Sequence, residues 1–188
     1  MKIHSLRLYA AAMMLAGAGI AGASTHGQAA LVPTTDNDLA KAVRHEIAMY
    51  PRYSVWDDVS FRVDNGRVEL LGAVSQAYKR SDIERLVQRI PGVAGVEDRI
   101  KVLPPSPNDD RLRLQVARAI FRDPSLSRYA MGAVPSIHIL VENGHVTLAG
   151  VVATEMDRNI AGIRANGAGL SFGAVTNNLQ VEHPSRKS

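Results

Sequence analysis

The chain has no cysteine in its 188 residues, which excludes disulfide frameworks, thiolate-ligated zinc, Fe–S clusters, thiol nucleophiles and lipid attachment through a cysteine. Aromatics are scarce as well, with one Trp, five Tyr and three Phe, so any core must be built from aliphatic side chains. Long apolar runs are wanting too. The charge-free stretch from Leu8 to Ala21 is rich in Ala and Gly and falls short of the ~20 residues that span hydrocarbon. It follows Lys2, His4 and Arg7 and precedes Ala21-Gly22-Ala23, the pattern of an export signal cut after Ala23. Residues 1–23 are therefore expected to be a signal peptide, and the protein to be exported. The net charge of +4 would suggest nucleic acid, but removal of Lys2 and Arg7 halves it, and an exported protein rarely meets nucleic acid. No nucleic-acid partner is expected.

What remains is a soluble composition, 46% hydrophobic and 21% charged, that repeats itself. Val63-Asp-Asn-Gly-Arg-Val-Glu-Leu-Leu-Gly-Ala-Val74 aligns with Val141-Glu-Asn-Gly-His-Val-Thr-Leu-Ala-Gly-Val-Val152 at an offset of 78. Upstream, Leu39, Val43 and Ile47 answer Leu112, Val116 and Ile120 at an offset of 73, so the second copy carries five extra residues before its hairpin. Downstream, Val96, Ile100 and Val102 answer Val175, Leu179 and Val181. The Pro-rich stretch from Leu103 to Asn108 joins the copies, placing the domains at 36–103 and 109–182.

Leu39, Val43, Ile47 and Tyr50 lie on one helical face after Thr35, Asp36 and Asp38, and Pro51 stops that helix. Val59, Phe61 and Val63 alternate, Asn65-Gly66 turns the chain, and Val68 and Leu70 alternate again, which predicts a hairpin. Ile83, Leu86, Val87 and Ile90 trace a second helix ended by Pro91-Gly92, and Val96 to Val102 a last strand. The expected fold class is α+β: two tandem αββαβ units, each a small three-stranded mixed sheet packed by two helices. The crossover makes the second and third strands parallel neighbours.

An αββαβ unit with the string V-x-x-G-x-V-x-L-x-G and a closing G-V-x-x-V-x-N-x-L-x-V resembles the BON domain. Gly66, Val68, Leu70 and Gly72 carry it in the first copy and Gly144, Val146, Leu148 and Gly150 in the second, where Val175-Thr-Asn-Asn-Leu-Gln-Val181 is also close. Exported proteins with two such copies form the periplasmic osmotic-stress and outer-membrane-integrity group. The resemblance thus implies phospholipid-surface binding, an envelope-integrity role and no enzymatic chemistry. The chain departs from the pattern in lacking a lipobox cysteine, in Gly162 and residues 166–169 interrupting its last helix, and in one residue inserted before its last strand.

The candidate site comes from comparing the two first helices. In the second copy Arg111, Arg118 and Arg122 fall within about 40° of one another, beside Leu114 and Phe121. Apolar residues flanked by arginines suit a helix lying among anionic headgroups, so these five are the expected lipid-binding residues. The first copy has Asp38, Lys41, His45, Ala48 and Met49 there. The competing reading is that Leu114 and Phe121 pack inside the protein. Tyr53 and Trp56, beside Tyr50 near Pro51, are the candidate contacts for a protein partner, the alternative function being an adaptor that docks an envelope protein. The string Gly169-Leu-Ser-Phe-Gly173 has the letters of a nucleophile elbow but the wrong order of elements around it. The histidines have no ligand spacing, and the pairs Asp57-Asp58 and Asp109-Asp110 read as element boundaries. No catalytic residue, cofactor or metal is expected.

Overall fold

The structure, a computed structural model, describes residues 35–131, 134–168 and 173–182. The export signal, and the 169–173 string apart from Gly173, lie outside them.

Two units with one order of elements follow each other. The first comprises α1 (Asp36–Met49), β1 (Asp58–Asp64), β2 (Arg67–Val74), α2 (Ala77–Gln88), β3 (Gly95–Asp98) and β4 (Lys101–Val102). The second comprises α3 (Pro107–Phe121), a 3-10 turn at Ser127–Ala130, β5 (Ile137–Glu142), β6 (His145–Val152), α4 (Glu155–Asn166), β7 (Val175–Asn177) and β8 (Gln180–Val181). In each sheet the second strand is central. It pairs antiparallel with the first, Phe61 opposite Leu70 and Ile139 opposite Leu148, and parallel with the last strand. The α+β class and the tandem αββαβ plan are as the sequence leads one to expect.

The last strand departs from that expectation, being split into β3 and β4 in one unit and β7 and β8 in the other. The cause is a side chain that competes with the ladder. The Asp98 carboxylate accepts the N–H of Ile100 at 2.8 Å, and the Asn177 amide oxygen that of Leu179 at 3.2 Å. This local turn interrupts the pleat while keeping Ile100 and Leu179 in their cores.

A carboxylate ties each first helix to its hairpin. Asn65 and Gly66, like Asn143 and Gly144, are left-handed, the conformation of a two-residue type I′ turn. Their N–H groups donate to Asp36 at 2.9 and 3.0 Å in the first unit, and to Asp109 at 2.9 and 2.8 Å in the second. Asp109 is thus more than a boundary residue. The second glycine of the repeated string is equally constrained: Gly72 has φ +108, and a Cβ there would stand 2.1 Å from the Asp58 carbonyl oxygen.

Gly162 does not interrupt α4, which runs through it. A Cβ at 162 would lie 2.9 Å from the Asn177 amide nitrogen, which donates to the Arg158 carbonyl at 2.8 Å. The glycine lets β7 approach the helix.

Phe61, Val59, Leu70, Ile83 and Val87 centre the first core, and Ile120, Leu126, Ile137, Ile139 and Leu148 the second. Val55 and Trp56 of the first unit pack against the second core, and Val134 of the second packs against the first. Trp56 and Val134 are 78 residues apart, so the exchange is reciprocal between equivalent positions. Ile139 on the outer edge of β5 donates to the Val55 carbonyl at 2.8 Å, and Lys101 pairs with Glu142 at 2.6 Å. One sheet edge is thus covered by the neighbouring unit.

Candidate functional site

The start of α3 is set by the Ser106 hydroxyl, which accepts the Asp109 N–H, and by Pro107 in its first turn. Leu112, Val116 and Ile120 are buried against the sheet. Arg113 is drawn in as well, donating to the Val141 carbonyl at 2.7 Å and pairing with Asp110. The opposite face is therefore fixed outward, and Arg111, Arg118 and Arg122 are all exposed there. The other arginines of this unit each have an acidic partner: Arg113 with Asp110, Arg128 with Asp157, Arg158 with Glu155 and Arg164 with Asp123. Arg111, Arg118 and Arg122 have none among the described residues.

The two apolar candidates separate. Leu114 is 48% exposed, whereas Phe121 is half-buried against the second core. Phe121 anchors the end of α3, and Leu114 is the apolar side chain standing free beside the arginines.

Tyr53 and Trp56 are taken up by the chain itself. Tyr53 is 6% exposed, its hydroxyl accepts the Val59 N–H at 3.0 Å, and its ring meets His138 of the second unit edge-on at 5.6 Å. Trp56 packs on the second core. Burial pushes the Tyr53 phenol well above its ordinary value. The aromatic cluster is the seam between the units, and its rings are occupied there.

Sequence reading missed the cleft between α3 and α4. Arg118, Ala119, Arg122, Asp123, Pro124 and Arg164 line a hollow of about 310 Å³. Arg164 bonds Asp123 at 2.8 Å, and this guanidinium, helped by the Ser125 N–H, holds the carboxyl below its ordinary value. Two unpaired arginines beside one neutralised pair leave the cleft positive. The matching hollow of the first unit, about 430 Å³, is lined by Glu46, Met49, Tyr50, Pro51, Asp82, Arg85, Leu86 and Arg89, with no such excess of one sign.

Two buried polar clusters are saturated and structural. Asp57 is fully buried and accepts from Lys79 at 2.6 Å and from the hydroxyls and N–H groups of Ser54 and Ser75. Lys79 also reaches both hydroxyls, so its three protons are matched. In the second unit the position of Lys79 is held by Asp157. Burial alone would raise this carboxyl, but the hydroxyls of Thr154 and Tyr129 and the Arg128 guanidinium more than offset that and hold it below its ordinary value. Asp57 thus stands at the element boundary, just before β1, and is a buried anchor as well. Among the described residues no group of three or more His, Asp or Glu could hold a metal ion, and no helix is long and apolar enough to cross a membrane.

The family model for the BON domain matches residues 35–104 and again residues 108–183. The chain belongs to the BON domain family. BON domains are non-catalytic binding modules found in envelope proteins. No curated protein matches the chain. Among the similar solved structures are two of CdsD, a structural protein of the type III secretion system of Chlamydia trachomatis. Its C-terminal domain is 18% identical with a TM-score of 0.31, over 77% of this chain and 65% of that one. The second is 14% identical with a TM-score of 0.28, over 79% of this chain and 94% of that one. This chain thus spans just under two thirds of the first.

Proposed function

We propose that this BON protein is exported to the periplasm, binds anionic phospholipid surfaces through α3 and supports envelope integrity under osmotic or similar stress. The observation that carries the reading is the selective absence of acidic partners. Among the described residues, the second unit pairs four of its arginines and leaves Arg111, Arg118 and Arg122 unpaired in one outward row, with Leu114 exposed beside them. Unpaired surface guanidiniums bind phosphate in bidentate fashion, and a neighbouring aliphatic gains by entering the headgroup boundary. The first unit supports the reading by contrast. At the place of Leu114 it has Lys41, which pairs with Asp38, itself at the place of Arg111. With Tyr53 and Trp56 occupied at the junction, the adaptor reading loses its aromatic surface.

Co-sedimentation with vesicles tests this, using the chain from Ser24 onward, which contains every described element. Phosphatidylglycerol vesicles should retain the protein and neutral phosphatidylcholine vesicles should not. Arg118→Glu with Arg122→Glu should weaken retention by roughly tenfold or more. Equal retention on neutral vesicles, or none lost in the double variant, would overturn the proposal.

A further inference from the structure

We propose that the lipid-facing surface is two helices wide, α4 adding Met156 and Ile163 on the far side of the arginine-lined cleft; this rests on the lipid reading of α3. The argument starts from where α4 puts its aliphatic residues. Its core-facing positions hold Ala161 and Ala165, where α2 of the first unit has Ile83 and Val87. Ile160 is half-buried against the core, but two other large side chains are turned the opposite way. Ile163 is 68% exposed and Met156 70%, and at 100° per residue they lie about 20° apart and roughly opposite Ala161.

The duplication supplies an internal control. At an offset of 78, Ile160 and Ile163 correspond to Asp82 and Arg85, which form an ion pair on the surface of α2. The fold therefore tolerates charge at these positions, and packing does not account for isoleucine at 163. Single exposed aliphatics are ordinary, but two sharing one helix face, with Leu114 exposed on the neighbouring helix, form a surface.

The charge between them names the occupant. Arg164 directly follows Ile163 and lines the cleft with Arg118 and Arg122. Apolar residues on both sides of a positive cleft fit a surface that is anionic at headgroup depth and apolar just beneath, which is an anionic bilayer. In this arrangement the cleft takes a headgroup phosphate, while Leu114 on one side and Ile163 with Met156 on the other reach the acyl boundary.

The lack of native cysteine allows the test to be made by single-site labelling. Leu114→Cys, Ile163→Cys and Arg85→Cys are each labelled with an environment-sensitive fluorophore and mixed with phosphatidylglycerol vesicles. Blue shifts at 114 and 163 but not at 85 are expected. A shift at 114 without one at 163 overturns the two-helix surface and leaves the α3 reading standing. A shift at 163 alone, or an equal one at 85, also overturns it, and no shift at any site together with no co-sedimentation defeats both readings. As an independent measure, Met156→Ser with Ile163→Ser should raise the apparent lipid Kd roughly tenfold with an unchanged melting temperature. An unchanged Kd counts against the inference.

Discussion

His138 sits where burial disfavours an added charge. It is buried on β5 at the junction, facing the Tyr53 ring, and its Nδ1 has no hydrogen-bond partner among the described residues. Burial lowers its pKa below the ordinary value, while the carboxylates of Asp58 and Asp57 and the backbone at Ser54 and Asp57 pull the other way without prevailing. The unfolded chain takes up this proton near pH 6.5, the folded chain only at lower pH. Below about pH 6.5 the unfolded state therefore binds more protons, and stability falls as pH falls, by at most about 1.4 kcal/mol per pH unit. Urea unfolding between pH 7 and pH 5.5, above the range in which Asp157 and Asp123 titrate, should show a falling midpoint. His138→Gln should flatten that slope, and parallel slopes for the two proteins would contradict the assignment.

At the scale of elements, the two carboxylate ties are the same device at different depths. Asp109 is buried and Asp36 exposed, yet each accepts both N–H groups of its hairpin turn. Removing the buried one strands two turn donors away from water, so Asp109→Ala should cost about 2–4 kcal/mol in urea unfolding, whereas Asp36→Ala, whose donors water can reach, should cost under about 1 kcal/mol. Equal losses would mean that burial does not set the strength of the tie. The helices and hairpins these ties connect are legible in the sequence because their signals are local: aliphatic spacings of three and four, alternation, and an Asn-Gly turn. The ties are not, since Asp109 meets partners 34 and 35 residues away and nothing nearby distinguishes it from Asp110. Gly162 misleads for the same reason. Its local meaning is a weak helix position, and its actual role depends on Asn177 in another strand. The arginine row of α3 is legible from periodicity. The outward Ile163 could have been found by setting it against Arg85, a comparison hidden by reading α4 as broken.

At the scale of the molecule, the duplication makes each unit part of the other's core. A unit of about 70 residues buries a marginal core by itself, and aromatics are few, so the placing of Trp56, the single tryptophan, at the junction is informative. Trp56 and Val55 lie on the second core, Val134 lies on the first, and the Ile139 to Val55 hydrogen bond crosses between them. Contacts shared in this way couple unfolding, because neither unit can open without exposing apolar surface of the other. The intact protein should therefore unfold in urea as one transition by far-UV circular dichroism. Trp56→Ala removes the largest shared side chain from a half-buried position and should cost about 2 kcal/mol. Because that loss falls on the coupling, it should broaden or split the transition rather than only shift it. A variant transition that keeps both the midpoint and the steepness of the parent would show that the units stand independently.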